Sequence, residues 1–427
     1  NVVSFAKLRT SYGLNGNVSG IGNYYVQGAY GSNKYNGQTG FLISSLPNPG
    51  LQWERSQTAE AGLDMGFLKN RYNLSLTYYN RRTKDKFADI TLPSHSGIST
   101  FRSNNGEVQN QGIEMEIGAR VINNNIWKFN VNLNAAYNQN KILALPDNGL
   151  ENNRQGAYQV YGKGNELIWV GGYQEGQRPG DVYAFKALGI YKSENEIPAN
   201  WIDKSTGNNG SNNRFLYGTE SWQTVYDAGT QGTGLPLQPG DVKFLDVNGD
   251  NVLDNYDQVK IGNSTPKWTG GLLTSVSWKS LTLNVRTDFA LGHVVTDTRF
   301  PWVMGNMQGT YNAIEAVKNS WSADNPNGEY PLYVWADQLG KRNYARNSSM
   351  FIYKGDYLAF REVNLSYKLP SSILQKIKTQ GIELSVTGQN LGYLTAAKNL
   401  YSPEIGASGW GGYALPRTVI FGINFTF

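Results

Sequence analysis

Arg417-Thr-Val-Ile-Phe-Gly-Ile-Asn-Phe-Thr-Phe427 alternates with a period of two. Val419, Phe421, Ile423, Phe425 and Phe427 fall on one face of an extended strand, and Ile420, Gly422, Asn424 and Thr426 on the other. Such a strand meets an apolar phase on one side and a wetter one on the other. In a soluble sandwich the apolar face would meet a second sheet; in a membrane barrel it would meet lipid. One strand does not choose between these.

The same alternation recurs upstream. Ala6, Leu8, Thr10, Tyr12 and Leu14 alternate with Lys7, Arg9, Ser11 and Gly13, predicting a strand from Phe5 to Leu14. Ala59 to Phe67 and Tyr72 to Tyr78 flank Lys69-Asn70, a spacing that reads as a hairpin with a two-residue turn. Ile113, Met115, Ile117 and Ala119 lead through 123–126 to Phe129, Val131, Leu133, Ala135 and Tyr137. Leu272 to Trp278 is joined by Lys279-Ser280 to Leu281, Leu283, Val285 and Phe289. Ala359, Val363, Leu365 and Tyr367 share a face, and Ile382, Leu384 and Val386 follow the turn region 370–381. About ten strands result.

Their connections alternate, short then long. The excursions fall at about 15–56, 93–106, 141–266, 292–356 and 394–416. A soluble meander has no reason to keep every long connection at one end, whereas an outer-membrane barrel has short periplasmic turns and long outer loops. The opposite faces carry Glu60, Asp64, Glu114, Glu116, Arg286 and Asp288 at mid-strand. Burying these unpaired in a sandwich core costs several kcal/mol each, by order of magnitude, while an aqueous or plugged lumen accepts them. The expected fold is an all-β, antiparallel transmembrane β-barrel with long extracellular loops. Ten strands with open edges cannot face lipid alone, so the remainder of the wall is expected from a preceding segment or another chain; the start at Asn1 reads as mid-fold.

Composition agrees. Aromatic residues make up 13% of the 427, yet no run of 18 apolar residues predicts a membrane helix. There is no cysteine, so no thiol chemistry is in play. The net charge of +5 is spread along the chain without a basic stripe interleaved with aromatics, which argues against nucleic-acid binding. Two distant histidines, His95 and His293, support no Ser–His–Asp arrangement, and no catalytic residue is assigned.

Short stretches in order along the chain then carry a family likeness. They are Lys7-Leu-Arg-Thr-Ser-Tyr-Gly13, Asn48-Pro-Gly-Leu-Gln-Trp-Glu54, Gly62-Leu-Asp64, Tyr78-Tyr-Asn80, Asn105-Gly-Glu-Val-Gln-Asn110, Gly112-Ile-Glu114, Asp356-Tyr-Leu358, Gly388-Gln-Asn-Leu391, Ser402-Pro-Glu404 and Pro416-Arg417. The chain resembles the carboxy-terminal barrel part of SusC-like (SusC/RagA) TonB-dependent outer-membrane transporters. That resemblance implies a barrel of about 22 strands, a plug domain outside this stretch, and a SusD-like surface lipoprotein lid. It implies import of oligosaccharides or peptides energised through TonB, in a Bacteroidetes-type Gram-negative outer membrane, without enzymatic activity. It also implies that the barrel assembly machinery reads the terminal strand Val419, Phe421, Ile423, Phe425, Phe427. The rival readings are a siderophore- or cobalamin-type TonB-dependent receptor and a secreted glycan-binding adhesin.

Within the third excursion, Asp246, Asn248, Asp250, Asp254 and Asp257 occupy positions 1, 3, 5, 9 and 12 of a loop in which Val252 can offer a carbonyl. That is the spacing of a Ca²⁺ loop, with Mg²⁺ as the alternative ion. It departs from the EF-hand pattern in having Gly249 early and Asp257 in place of Glu. The competing reading is an Asx-rich turn without metal. Trp302, Trp321, Tyr333, Trp335 and Trp410 are the candidate substrate-stacking residues, against the alternative that they fill loop cores or touch the lid.

Overall fold

The computed structural model describes residues 2–198, 201–203, 216–217, 220–221, 237–305, 312–333, 343–344, 346–376, 378–397, 400, 402–404 and 415–427. Its framework is one ten-stranded antiparallel sheet in which spatial order follows chain order. The strands are β1 (Val3–Asn17), β2 (Glu54–Phe67), β3 (Tyr72–Thr91), β4 (Thr100–Asn123) and β5 (Trp127–Ala144). After the longest excursion come β6 (Trp268–Trp278), β7 (Leu281–Leu291), β8 (Tyr357–Lys368), β9 (Gly381–Thr395) and β10 (Thr418–Thr426). Among the described residues no helix is long and apolar enough to cross a membrane.

The register turns the sequence alternation into two surfaces. Leu8, Leu63, Leu76, Met115, Ala135, Gly270, Phe289, Leu358 and Leu394 pair in succession, one apolar row running across β1 to β9. One residue along, Lys7, Asp64, Ser75, Glu116, Asn134, Gly271, Asp288, Ala359 and Tyr393 pair in the same way. Because side chains alternate across a strand, the first row forms the convex face and the second the concave one. Apolar residues of the convex face stay exposed, Leu8 at 75% and Phe421 at 77%. A contiguous apolar surface of this extent marks contact with another phase or partner.

Three details differ from the sequence reading. The β2–β3 connection is not a two-residue turn: Phe67 pairs with Tyr72, and Leu68, Lys69 and Asn70 all adopt left-handed backbone between them. Half of the 93–106 excursion is strand, since β3 and β4 stay paired out to Thr91 and Thr100 as a ribbon beyond the sheet. Third, Ala359 does not share the outward face of Val363. The register slips at Arg361, which has no partner opposite it on β7, so Leu358 and Phe360 face outward and Ala359 pairs with Asp288 on the concave side. A bulge of one residue reverses the face of everything beyond it, and alternation alone cannot show that.

Four connections, 68–71, 124–126, 279–280 and 369–380, lie at one end of the sheet and the other five at the opposite end, where all but the 92–99 turn of the β3–β4 ribbon are longer than any at the first.

Candidate functional site

The concave face is lined with charge that the wall partly neutralises itself. Arg9 on β1 donates from Nε to Asp64 at 2.7 Å, and its Nη2 reaches Asp64, Ser75 and Thr77. Ser11 donates to Glu60 at 3.1 Å. The Arg361 bulge aims its guanidinium inward, where Nε meets Asp288 at 2.6 Å and Nη2 meets Glu404 at 2.7 Å. Asp64 and Asp288, placed in the lumen by the sequence reading, thus pair within the barrel wall. Glu116, Arg286, Lys7 and Arg361 line a hollow of ≈ 1070 Å³ along this face, with Gly118 and Gly271 in its floor. Side chains there would reduce the depth.

Glu404 arrives from the last long connection, where Ala397 and Ser402 are buried. Burial pushes its carboxyl up, but hydrogen bonds from Arg361 and Tyr393 outweigh that and hold it below the usual range. The last excursion is therefore pinned to the concave wall at the mouth. The sequence gives no sign of this contact beyond the presence of Ser402-Pro-Glu404.

The acidic loop of 246–257 is built from its own hydrogen bonds. Asp246 accepts from the Gly249 and Asn251 N–H groups, Asn248 from Asp250, and Asp250 from Val252. Asp254 accepts from Tyr256 and Asp257 from both Val247 and Asp254, closing a capping box over the 255–257 turn. The loop leans on the hairpin formed by Tyr158–Tyr161 and Leu167–Val170: Tyr161 and Tyr256 meet edge to face at 5.8 Å, and Asn165 donates to the Asn248 carbonyl. These hard oxygen donors suit Ca²⁺ chemically. In this arrangement they serve the loop's own N–H groups, and among the described residues no three acidic or His side chains converge on one point. Asp257 is fully buried. Burial, with the Asp254 and Asp246 carboxylates nearby, outweighs its two backbone hydrogen bonds and pushes it up to about 6.

A pH dependence follows with divalent ions chelated. A carboxyl whose pKa rises on folding binds its proton more tightly in the native state, so its contribution favours folding at acid pH and is lost as pH rises from about 4 through 6. Amide exchange across 246–263, corrected for intrinsic rates, should be slower at pH 5 than at pH 7.5, by about 1–2 kcal/mol of local stability. Equal protection at both pH values would show that Asp257 ionises freely.

The candidate stacking residues do not gather into one site. Trp335 and Trp410 lie outside the described residues. Trp302 sits partly buried in the helix Arg299–Gly305, and Trp321 is packed beneath Gly240 and Leu332 with its indole N–H buried. Tyr333 is partly buried. The aromatic faces that stand free are elsewhere: Tyr30, Tyr35 and Phe41 on the hairpin Ala29–Tyr35/Gln38–Ser45, and Tyr24, Trp53 and Tyr173. Tyr35, Phe41 and Trp53 were not singled out from sequence. Alternation places Tyr30, Phe41 and Ile43 on one face of that hairpin, a signal the polar Gly/Asn surroundings masked.

Comparison with known proteins agrees with this architecture. Residues 3–168 match the family described as TonB dependent receptor-like, beta-barrel. The whole chain aligns with TonB-dependent receptor P3 of Formosa agariphila at 25% identity, covering 40% of that protein. TonB-dependent receptor SusC of Bacteroides thetaiotaomicron is 25% identical over 99% of this chain and 37% of its own length. In structure, the chain superposes over its full length on 41% of a chain of the RagAB peptide transporter, with a TM-score of 0.69 and 23% identity. The chain thus spans about 40% of the length of the curated relatives it matches. With a match over residues 3–168, likeness along the full length and one continuous sheet, the chain has the fold of the TonB-dependent receptor-like β-barrels.

Proposed function

We propose that this chain forms the carboxy-terminal part of the wall of a SusC-type outer-membrane transporter that imports oligosaccharides or peptides. In this reading a SusD-like surface lipoprotein covers the long-loop end, and TonB supplies energy through parts of the protein outside this chain. The observation that carries it is the polarity of the sheet. The four connections at one end are short, four of the five at the other are long, and a charged hollow is backed by an apolar convex face. Nothing in that arrangement asks for a chemical step; binding and passage suffice. The exposed Tyr30, Tyr35 and Phe41 offer flat apolar faces of the kind on which sugar rings or peptide side chains rest.

The test is deletion and uptake. A strain lacking the full-length protein should lose growth on one class of polymer fragment and regain it with the intact gene. The protein should co-purify in detergent with a lipoprotein at equal stoichiometry. Recovery of the native protein from the soluble fraction, without detergent, would sink the transporter and favour an adhesin.

We also propose that the 246–257 loop takes up Ca²⁺, or Mg²⁺, as a brace for the outer excursion rather than as part of transport. Supporting this are the oxygen-donor spacing and the crowding that pushes Asp257 up, which a cation would relieve. Binding requires the carboxylates to draw closer than they stand here. Asp246→Asn with Asp250→Asn should lower bound metal from about one equivalent to none by elemental analysis, and increase exchange over 241–263. Unchanged metal content would leave the loop as a self-sufficient Asx turn.

A further inference from the structure

Lys and Arg residues that look scattered in sequence converge at the short-turn rim. Lys69 and Arg71 lie at the β2–β3 connection, Arg120 and Lys128 at β4–β5, and Lys279 at β6–β7. Lys368, Lys376 and Lys378 lie at β8–β9. All eight are exposed. Across 66–73, 119–128, 277–282 and 366–383 the one acidic side chain is Glu383, opposite Lys368. Among the described residues none of these eight cations takes part in an ion pair.

The long-loop end is built differently. Several of its cations are matched to carboxylates: Arg55 to Asp85, Lys86 to Glu54, Arg102 to Asp89, and Lys260 to Asp181. Among the described residues, ion pairs of this kind are found at the long-loop end and not among the eight rim cations.

Two of the rim arginines are also held in place. Arg71 donates to the carbonyls of Arg120 and Val121, and Arg120 donates back to the Asn70 carbonyl at 2.5 Å. This cross-bracing brings two guanidinium groups together with no carboxylate between them. Their remaining N–H groups form a planar fork of the shape that suits phosphate.

Aromatic residues sit at the same level on the convex face. Trp127 and Trp278 lie 6.1 Å apart, and Tyr72 and Tyr367 end their strands in the same band. Arg71 lies over the Tyr72 ring at 5.7 Å and Lys279 over Trp278 at 5.5 Å. Rings of this kind occupy the boundary between hydrocarbon and headgroups. The cations sit beside that belt, at headgroup depth.

We infer that this rim binds the phosphate headgroups of anionic phospholipids in the leaflet it faces. The inference rests on the membrane-barrel reading, and on it alone. Aromatic rings anchor the level of the wall, and the basic ring selects headgroup charge. Each Lys near such a surface contributes about 1 kcal/mol, or roughly fivefold in affinity.

The test uses the whole transporter containing this chain, purified in detergent and titrated with phosphatidylglycerol or phosphatidylcholine, with retained lipids counted by native mass spectrometry. The wild type should retain phosphatidylglycerol at least about tenfold better, and lose that preference near 0.5 M salt. Replacing Lys69, Lys128, Lys279 and Lys376 by Gln should reduce the preference by at least about tenfold. Among the described residues these four side chains make no hydrogen bond that holds a strand, so folding should survive, as an unchanged melting temperature would show. Replacing Lys163, Lys192, Lys318 and Lys354, at the long-loop end, should leave the preference intact.

Equal retention of the two lipids by the wild type, or an unaltered preference in the rim variant, would overturn the inference. A protein that embeds in detergent yet ignores headgroup charge would refute the rim alone. One that needs no detergent would refute the barrel first.

Discussion

Phe421→Arg should nearly abolish the folded protein in the outer membrane, whereas Asn424→Arg should be tolerated. Both residues lie on β10, three positions apart and on opposite faces. Phe421 pairs with Val386 on the convex side and is 77% exposed to whatever surrounds the barrel. Asn424 pairs with Glu383, so an Arg there gains a carboxylate opposite. A cation at the lipid face of a barrel strand costs about 2–4 kcal/mol near the membrane midplane, and little on the lumen side. Heat-modifiable migration of the membrane fraction reads the folded barrel directly. Comparable losses in both variants would mean that both faces of β10 are packed, as in a soluble sandwich. Equal tolerance would mean that neither face meets hydrocarbon.

The period-two pattern made this contrast visible before any coordinates, because lipid on one side and water on the other impose opposite chemistry on successive residues. The ten strands, their order and the one-sided distribution of long connections all followed from it. What the pattern could not show was any local departure from strict pairing. The Arg361 bulge places Ala359 on the face opposite to the one its apolar character predicts, and the extension of β3 and β4 beyond the sheet replaces an expected loop with a ribbon. Long-range pairs were equally hidden: Arg9 with Asp64 and Arg361 with Glu404 join residues that only the register and loop return bring together. The acidic loop shows the converse limit. Its spacing is legible, but the same side chains serve backbone turns in the fold, and sequence does not distinguish a carboxylate committed to N–H groups from one awaiting a cation. The rim cations were dismissed as scattered because four separate turns contribute them.

Arg361→Ala should release the segment at 402–404 and destabilise the barrel mouth by about 2 kcal/mol. Arg361 serves two carboxylates, Asp288 on the neighbouring strand and Glu404 on the last excursion. Its own side chain is 17% exposed, while Glu404 retains 25% and Asp288 40% of their accessible surface. Removing one partner of a fully buried pair costs about 3–5 kcal/mol, since the remaining charge is stranded. The partial exposure here lets water recover part of that, which sets the lower figure. Glu404→Gln should cost less, because Arg361 keeps Asp288. Adding Glu404→Ala to Arg361→Ala should cost less than the sum of the two single changes, because no carboxylate is then left unpaired at that position. Exchange mass spectrometry over 393–404 and a melting temperature in detergent measure both effects. Strict additivity would mean that Arg361 and Glu404 do not interact. A double variant as stable as Arg361→Ala alone would identify the stranded Glu404 charge as a minor term, leaving the loss of the Asp288 pair across the bulge as the origin of the instability.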